Sequence, residues 1–229
     1  MMPDVTRDFV VVGSGFGGSI SAMRLAEKGY DVLVLERGKR FEDDDFPHSN
    51  WDARRFLWKP ALRCFGIMEI SLLNHVMVLH GSGVGGGSLV YANVLMEPEE
   101  KLFEAPGWNA LADWRTVLKP HYAAARQMLG VTQNPHLTPA DDVLRRIADR
   151  RGMGHTFRPA DVAVYFGEPG KEGQTVPDPY FGGEGPARAG CILCGGCMVG
   201  CRHNAKNTLL KNYLHFAEKW GAEIRAEAE

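Results

Sequence analysis

Two groups of residues in this sequence have types and spacings suited to chemistry. The first is Gly13-Ser14-Gly15-Phe16-Gly17-Gly18, which satisfies G-x-G-x-x-G, with Glu36-Arg37 closing the next apolar run. Gly13 permits a tight turn, Gly15 lets backbone approach a pyrophosphate, and Gly18 lets a helix pack closely on the preceding strand. A carboxylate at Glu36 can accept hydrogen bonds from ribose hydroxyls, so the group as a whole points to dinucleotide binding. The second group is Cys191, Cys194, Cys197 and Cys201, spaced C-x2-C-x2-C-x3-C. A bacterial ferredoxin run uses that spacing to hold iron and sulfide. The match departs at Arg202, where proline usually follows, and the run occurs once. Four thiolates also suit tetrahedral zinc, although the compact spacing fits a cluster better. Small thiols in a Gly-rich turn can also simply pack.

The glycine motif needs particular elements around it. Phe9 to Val12 is an apolar run that predicts a buried strand, and a helix follows with Ile20, Met23, Leu25 and Ala26 as its apolar positions. Gly29-Tyr30 break that helix, and Val32 to Leu35 make a second strand ending on Glu36. This is one βαβ unit, whose helix N-terminus offers free N–H groups and a partial positive charge to phosphates. Ile67 to Leu73 and Val76 to Leu79 flank Asn74-His75 and predict a hairpin with a tight turn.

Five of the seven residues from Gly81 to Gly87 are glycine, between the apolar pairs Val78-Leu79 and Leu89-Val90. Successive N–H groups in such a loop form an anion-binding nest, so it is a second approach to the pyrophosphate. The opening βαβ unit, the GSGVGGGSLVYANV segment and the Cys-rich AKNTLLKNYL segment together resemble the glucose–methanol–choline oxidoreductases, closest to the cholesterol-oxidase-like branch. The resemblance covers most of the chain. It implies FAD and an α/β fold, with a Rossmann-like FAD-binding domain (βαβ with a parallel sheet) and part of an α+β substrate domain. It implies oxidation of a CH–OH group by hydride transfer to flavin, with a small hydrophobic alcohol, of sterol type, as substrate. The electron acceptor is oxygen or another group. Carried onto this sequence, Gly13 to Gly18 and Glu36-Arg37 would hold the pyrophosphate and adenosine ribose. Gly83, Val84, Gly85, Gly86, Gly87 and Ser88 would form the second FAD loop, and Tyr91, Ala92 and Asn93 would lie near the isoalloxazine. Val90 and Tyr91 stand near where some members tether FAD through histidine, so the cofactor is expected to be non-covalent. The family's alcohol chemistry needs no metal, which favours packing for the cysteines. The alternative function is a flavoprotein passing electrons through a cluster at the cysteine run.

Elsewhere the sequence says less. Lys39 to Ala61 holds an acidic cluster, Glu42 to Asp45, expected as a solvated loop without persistent period. A helix starts after Pro98, and a longer one runs over Trp114 to Leu129, with Pro120 near its start and Gly130 as C-cap. Thr138-Pro139 opens another, with Leu144, Ile147 and Ala148 on its apolar face. Ala160 to Phe166 alternates as a strand, Gly167 to Gly190 is a loop, Ala205 to Trp220 is helical, and a strand begins after Ala222. Cys64, flanked by Leu62 and Phe65, is expected to be buried. The domains are expected as residues 1–115, first part of the FAD-binding domain; 116–190, a partial substrate or cap domain; and 191–229, returning to the FAD domain.

Composition is that of an ordinary globular protein. The formal net charge of −2 provides no basic field for nucleic acid. No apolar run is long enough to span a bilayer, and the N-terminus carries no apolar leader, so a cytoplasmic protein is expected. None of the eight histidines falls in a motif matching the family's catalytic base. The catalytic pair is expected beyond residue 229, making this chain the N-terminal part of a longer flavoenzyme, inactive or poorly soluble alone.

Overall fold

The computed structural model describes residues 6–228; residues 1–5, the start of the segment read as leaderless, lie outside the described residues. By its internal contacts the chain forms two compact units, one up to Asn93 together with Val164 onward, the other Val94–Ala163. These bounds differ from the sequence divisions after residues 115 and 190.

The first unit opens with β1 (Phe9–Val12), α1 (Phe16–Ala26) and β2 (Val32–Leu35). The two strands are parallel, Phe9 opposite Val32 through Val12 opposite Leu35, so the predicted βαβ unit is present. Its burial is distributed differently from the prediction. β2 is central, with Val32 and Val34 fully buried, whereas β1 is an outer strand whose Val12 is 84% exposed. On α1 the buried stripe is Ser19, Ala22, Met23 and Ala26. Those positions follow i, i+3, i+4, i+7, and the small residues Ser19 and Ala22 displace Ile20 and Leu25 from the core face.

The segment after β2 is more structured than a solvated loop. Glu42, Asp44 and Asp45 are exposed, but Phe41 and Phe46 stack at 5.8 Å and enter a core with Ile67, Met68, Leu89 and Val90. Asp43 forms an ion pair with Lys211 at 3.4 Å. The alternation of charge with single aromatics carries no period, which is why pattern reading missed this contribution. The predicted hairpin is β3 (Met68–Leu73) with β4 (Val76–Gly81), Leu73 opposite Val76 across Asn74-His75.

The second unit carries α2 (Trp114–Met128) and α3 (Pro139–Arg150). Pro120 lies inside α2 rather than near its start, where it removes one intrahelical bond. Gly130, at φ +56°, follows the α2 C-cap as expected. Thr138 and Asp141 form a capping box on α3. The predicted strand over 160–166 shrinks to Asp161–Val162, paired with Thr132–Gln133, and Val164 is bridged instead to Lys206.

Back in the first unit, Ala205–Thr208 are buried and non-helical. The helix predicted from Ala205 becomes a 3-10 turn at Leu209–Lys211 and α4 (Tyr213–Lys219). α4 packs on α1 through Tyr213, Leu214, Phe216 and Ala217. Beyond it, β5 (Glu223–Arg225) pairs parallel to β2, giving the sheet order β1-β2-β5.

Candidate functional site

The glycine motif forms the turn between β1 and α1. Gly13 sits at φ +88° and its N–H donates to Leu35 O at 2.7 Å, locking the turn onto the end of β2. A Cβ on Gly18 would stand 1.9 Å from Gly13 O. The role expected for that glycine, close packing of helix on turn, is therefore visible in the geometry. Gly15 is the helix N-cap.

The second glycine loop meets this turn directly. A Cβ on Gly86 would lie 2.8 Å from Gly15 Cα, and one on Gly38 would lie 2.2 Å from Gly83 N. Ser14, fully buried, joins the pieces: its hydroxyl donates to Glu36 Oε2 at 2.6 Å and accepts from Gly85 N–H at 3.0 Å. Glu36 accepts further bonds from Ser14 N–H at 3.1 Å and Gly38 N–H at 3.0 Å. Its carboxylate thus binds its own chain first, with remaining lone pairs for a ligand hydroxyl. Ser88 ties the loop to the later chain, donating to Gly85 O at 2.7 Å and accepting from Leu209 N–H at 3.0 Å.

A cleft of about 520 Å³ lies over the two loops, lined among others by Gly13, Gly15, Glu36, Arg37, Gly86 and Gly87. Of the other predicted residues, Ser14, Gly83, Val84, Gly85 and Ser88 are buried or half-buried supports behind it. Gly17 is exposed with open space around it. The Phe16 ring stands edge-to-face against Tyr91, with centroids 6.0 Å apart. Arg37 pairs with Glu69 and lies over the Trp58 ring. Ala92 is exposed, and Asn93 is buried at φ +58°. Gly81, counted in the glycine run but not among the residues carried over from the family, also lines the cleft, and its Cβ would meet Gly86 O at 2.2 Å. Its place in the same glycine run was the available signal.

The sequence reading missed a buried cationic cluster behind Tyr91. Lys206 is 1% exposed; its Nζ donates to Leu89 O at 3.0 Å and Cys197 O at 2.8 Å and stands 4.5 Å from the Tyr91 ring centre. Burial pushes its ammonium down to about 8, against an opposing pull from Cys197 and Cys201. Burial also pushes the Tyr91 phenol up. Arg188, also 1% exposed, donates to Lys206 O at 2.8 Å and Asn204 O at 3.1 Å, and hydrogen-bonds Asn207. Nothing in local pattern marks a lysine or arginine as buried, so no sequence signal was available.

The four cysteines of the run are free and line one small cavity with Lys206 and Val164. Cys194 is exposed, and Cys191, Cys197 and Cys201 are half-buried. Cys64, by contrast, is buried. No three His, Cys, Asp or Glu side chains among the described residues converge on a single metal-ion position.

A parallel βαβ unit whose glycine turn faces a second glycine loop defines a Rossmann-like nucleotide-binding protein. Residues 11–41 match the model of the NAD(P)-binding Rossmann-like domain family. The chain is 55% identical over 226 residues to a "Cholesterol oxidase" of Mycobacterium tuberculosis (strain CDC 1551 / Oshkosh), covering 98% of this chain and 39% of that protein. It is 50% identical to a "Cholesterol oxidase" of Acinetobacter baumannii, covering 97% of this chain and 40% of the relative. A GMC-type oxidoreductase of the same M. tuberculosis strain, MT0511/MT0512, is 29% identical over 97% of this chain and 32% of its own length. Over nearly its whole length the chain is similar to these cholesterol oxidases, the resemblance its motifs suggested. It spans about two fifths of the length of the cholesterol oxidases it matches. No helix among the described residues is long and apolar enough to cross a membrane.

Proposed function

We propose that this chain is the FAD-holding part of an oxidoreductase that oxidises a CH–OH group of a small hydrophobic alcohol, of sterol type, with oxygen as acceptor. The observation that carries the reading is the meeting of the two glycine loops at Gly15 and Gly86, where any Cβ on Gly86 would fill the cradle. A bare-backbone surface at a helix N-terminus suits a pyrophosphate, and the relatives at 50% identity and above are cholesterol oxidases.

FAD, when bound, supplies the hydride acceptor. The chain's own residues would do the holding. Gly13 and Gly15 with the N-terminus of α1 cradle the pyrophosphate from one side, and Gly86-Gly87 from the other. Glu36, already oriented by Ser14 and Gly38, offers its remaining lone pairs to the adenosine ribose. Tyr91, Ala92 and Asn93 would flank the flavin ring, with Asn93 held in its left-handed conformation at φ +58°.

The test is flavin content and sterol-dependent flavin bleaching of the full-length protein. Gly86→Val should lower FAD affinity by roughly two orders of magnitude or more, since a β-branched side chain would occupy the cradle at an unfavourable φ. A wild-type protein that retains no flavin and takes up none when supplied would overturn the reading.

A further inference from the structure

The cysteine run is the feature that the flavin cleft does not use. Three observations bear on what it does.

The first is disposition. A single tetrahedral metal ion with bonds of about 2.3 Å requires its sulfurs roughly 3.8 Å apart. No such grouping exists among the described residues. In an iron–sulfur cluster each thiolate binds a different iron, so the sulfurs surround a shared space at greater separation. All four cysteines here line one cavity. The chain turns back on itself through left-handed Leu193 (φ +58°), Gly195 (φ +70°) and Gly200 (φ +88°). A left-handed leucine is strained, and here its N–H donates to Cys191 Sγ at 3.4 Å. Hydrogen bonds to sulfur are among the means by which proteins tune clusters.

The second is charge. Lys206 and Arg188 are both 1% exposed, and among the described residues neither forms an ion pair with a carboxylate. Asp43, which acts on Arg188 from a distance, is itself paired with Lys211. Buried cations without counter-charge are costly. Lys206 lines the same cavity as the four cysteines, so metal-bound thiolates would supply the counter-charge. The third is connection. The Cys197 carbonyl accepts from Lys206, which also holds Leu89 O of the second glycine loop.

We propose that Cys191, Cys194, Cys197 and Cys201 bind an iron–sulfur cluster, with Lys206 and Arg188 balancing the negative charge of its thiolates. The cavity that the four cysteines line has a volume of about 30 Å³. The proposal is independent of the flavin reading.

The experiment is iron, zinc, acid-labile sulfide and flavin assayed on one sample of the full-length protein purified without oxygen, with a parallel sample reconstituted with ferrous iron and sulfide. Iron and sulfide in matching stoichiometry are expected. Cys194→Ser and Cys197→Ser should each lower both by roughly tenfold or more, while Cys64→Ser keeps them. Cys194 is exposed, so its substitution costs no packing and reports on ligation even where Cys197→Ser fails to fold. Absence of iron and sulfide from both samples overturns the proposal, as does stoichiometric zinc without sulfide. Iron without flavin would leave it standing and sink the flavin reading; flavin without iron does the reverse.

Discussion

The glycine cradle and the cysteine loop are both turning, glycine-rich backbone in the same compact unit, yet they handle buried charge in opposite ways. In the cradle the buried charge is Glu36, and four donors or loops of its own chain close around it: Ser14 N–H at 3.1 Å, Ser14 O–H at 2.6 Å, Gly38 N–H at 3.0 Å, and Gly85 through the Ser14 hydroxyl at 3.0 Å. Beside the cysteines the buried charges are Lys206 and Arg188, held by neutral carbonyls and an amide. A carboxylate that accepts three N–H and O–H bonds has its charge compensated by its own chain and still keeps a lone pair for a ligand hydroxyl. A buried cation facing carbonyls alone keeps its charge uncompensated, which is a reason to look for the missing anion.

The largest break in that comparison is Gly18→Val. Its branched side chain would begin 1.9 Å from Gly13 O. We expect more than about 3 kcal/mol of destabilisation, read as loss of the cooperative thermal transition together with the bound flavin. Next is Glu36→Gln, which replaces an acceptor-only carboxylate with an amide whose NH2 faces donors. A cost of about 2–3 kcal/mol is expected from denaturant unfolding; a cost under about 0.5 kcal/mol would mean that the cradle is not organised around this charge.

Asp178 offers a check on the same principle outside either site. Burial pushes its carboxyl up, but the N–H groups of Tyr180, Phe181, Gly183 and Gly185 outweigh that and hold it below the ordinary carboxylate range. A carboxyl lowered in the folded state adds stability that is present above its unfolded value near 3.9 and is lost as pH falls through the folded value. Asp178→Asn should therefore cost about 1–2 kcal/mol at pH 7. The difference from wild type should shrink below about pH 4 in acid-unfolding curves. The smallest effect should be Lys206→Met in protein without iron. It removes a desolvated charge as well as two hydrogen bonds to carbonyls, so the net change should stay within about 1 kcal/mol. A larger loss would place Lys206 with Glu36 as a self-sufficient support and remove the contrast between the two regions.

Local spacing made the first half of the site legible. G-x-G-x-x-G between two apolar runs, Glu36 at the second run's end, and the Asn74-His75 turn all impose constraints within a few residues, and each has its predicted backbone. Burial was less legible. The apolar run at β1 predicts a buried strand, but exposure depends on which strand lies at the centre of the sheet, and that place goes to β2 once β5 pairs with it. Helix propensity over Ala205 to Thr208 gave way because those residues are drawn into the interior as extended chain, with Val164 bridged to Lys206.

The sequence by itself therefore determined the βαβ unit, the two glycine loops and the cysteine spacing, because those depend on backbone freedom and residue type at short range. Tertiary structure alone decided that Gly86 faces Gly15, that Ser14 joins Glu36 to the second loop, and that Lys206 and Arg188 are buried beside the thiols. Those contacts join residues far apart in the chain, Ser14 with Gly85 and Lys206 with Leu89 among them, and only the packing of the whole unit fixes which polar groups lose water and which partners replace it.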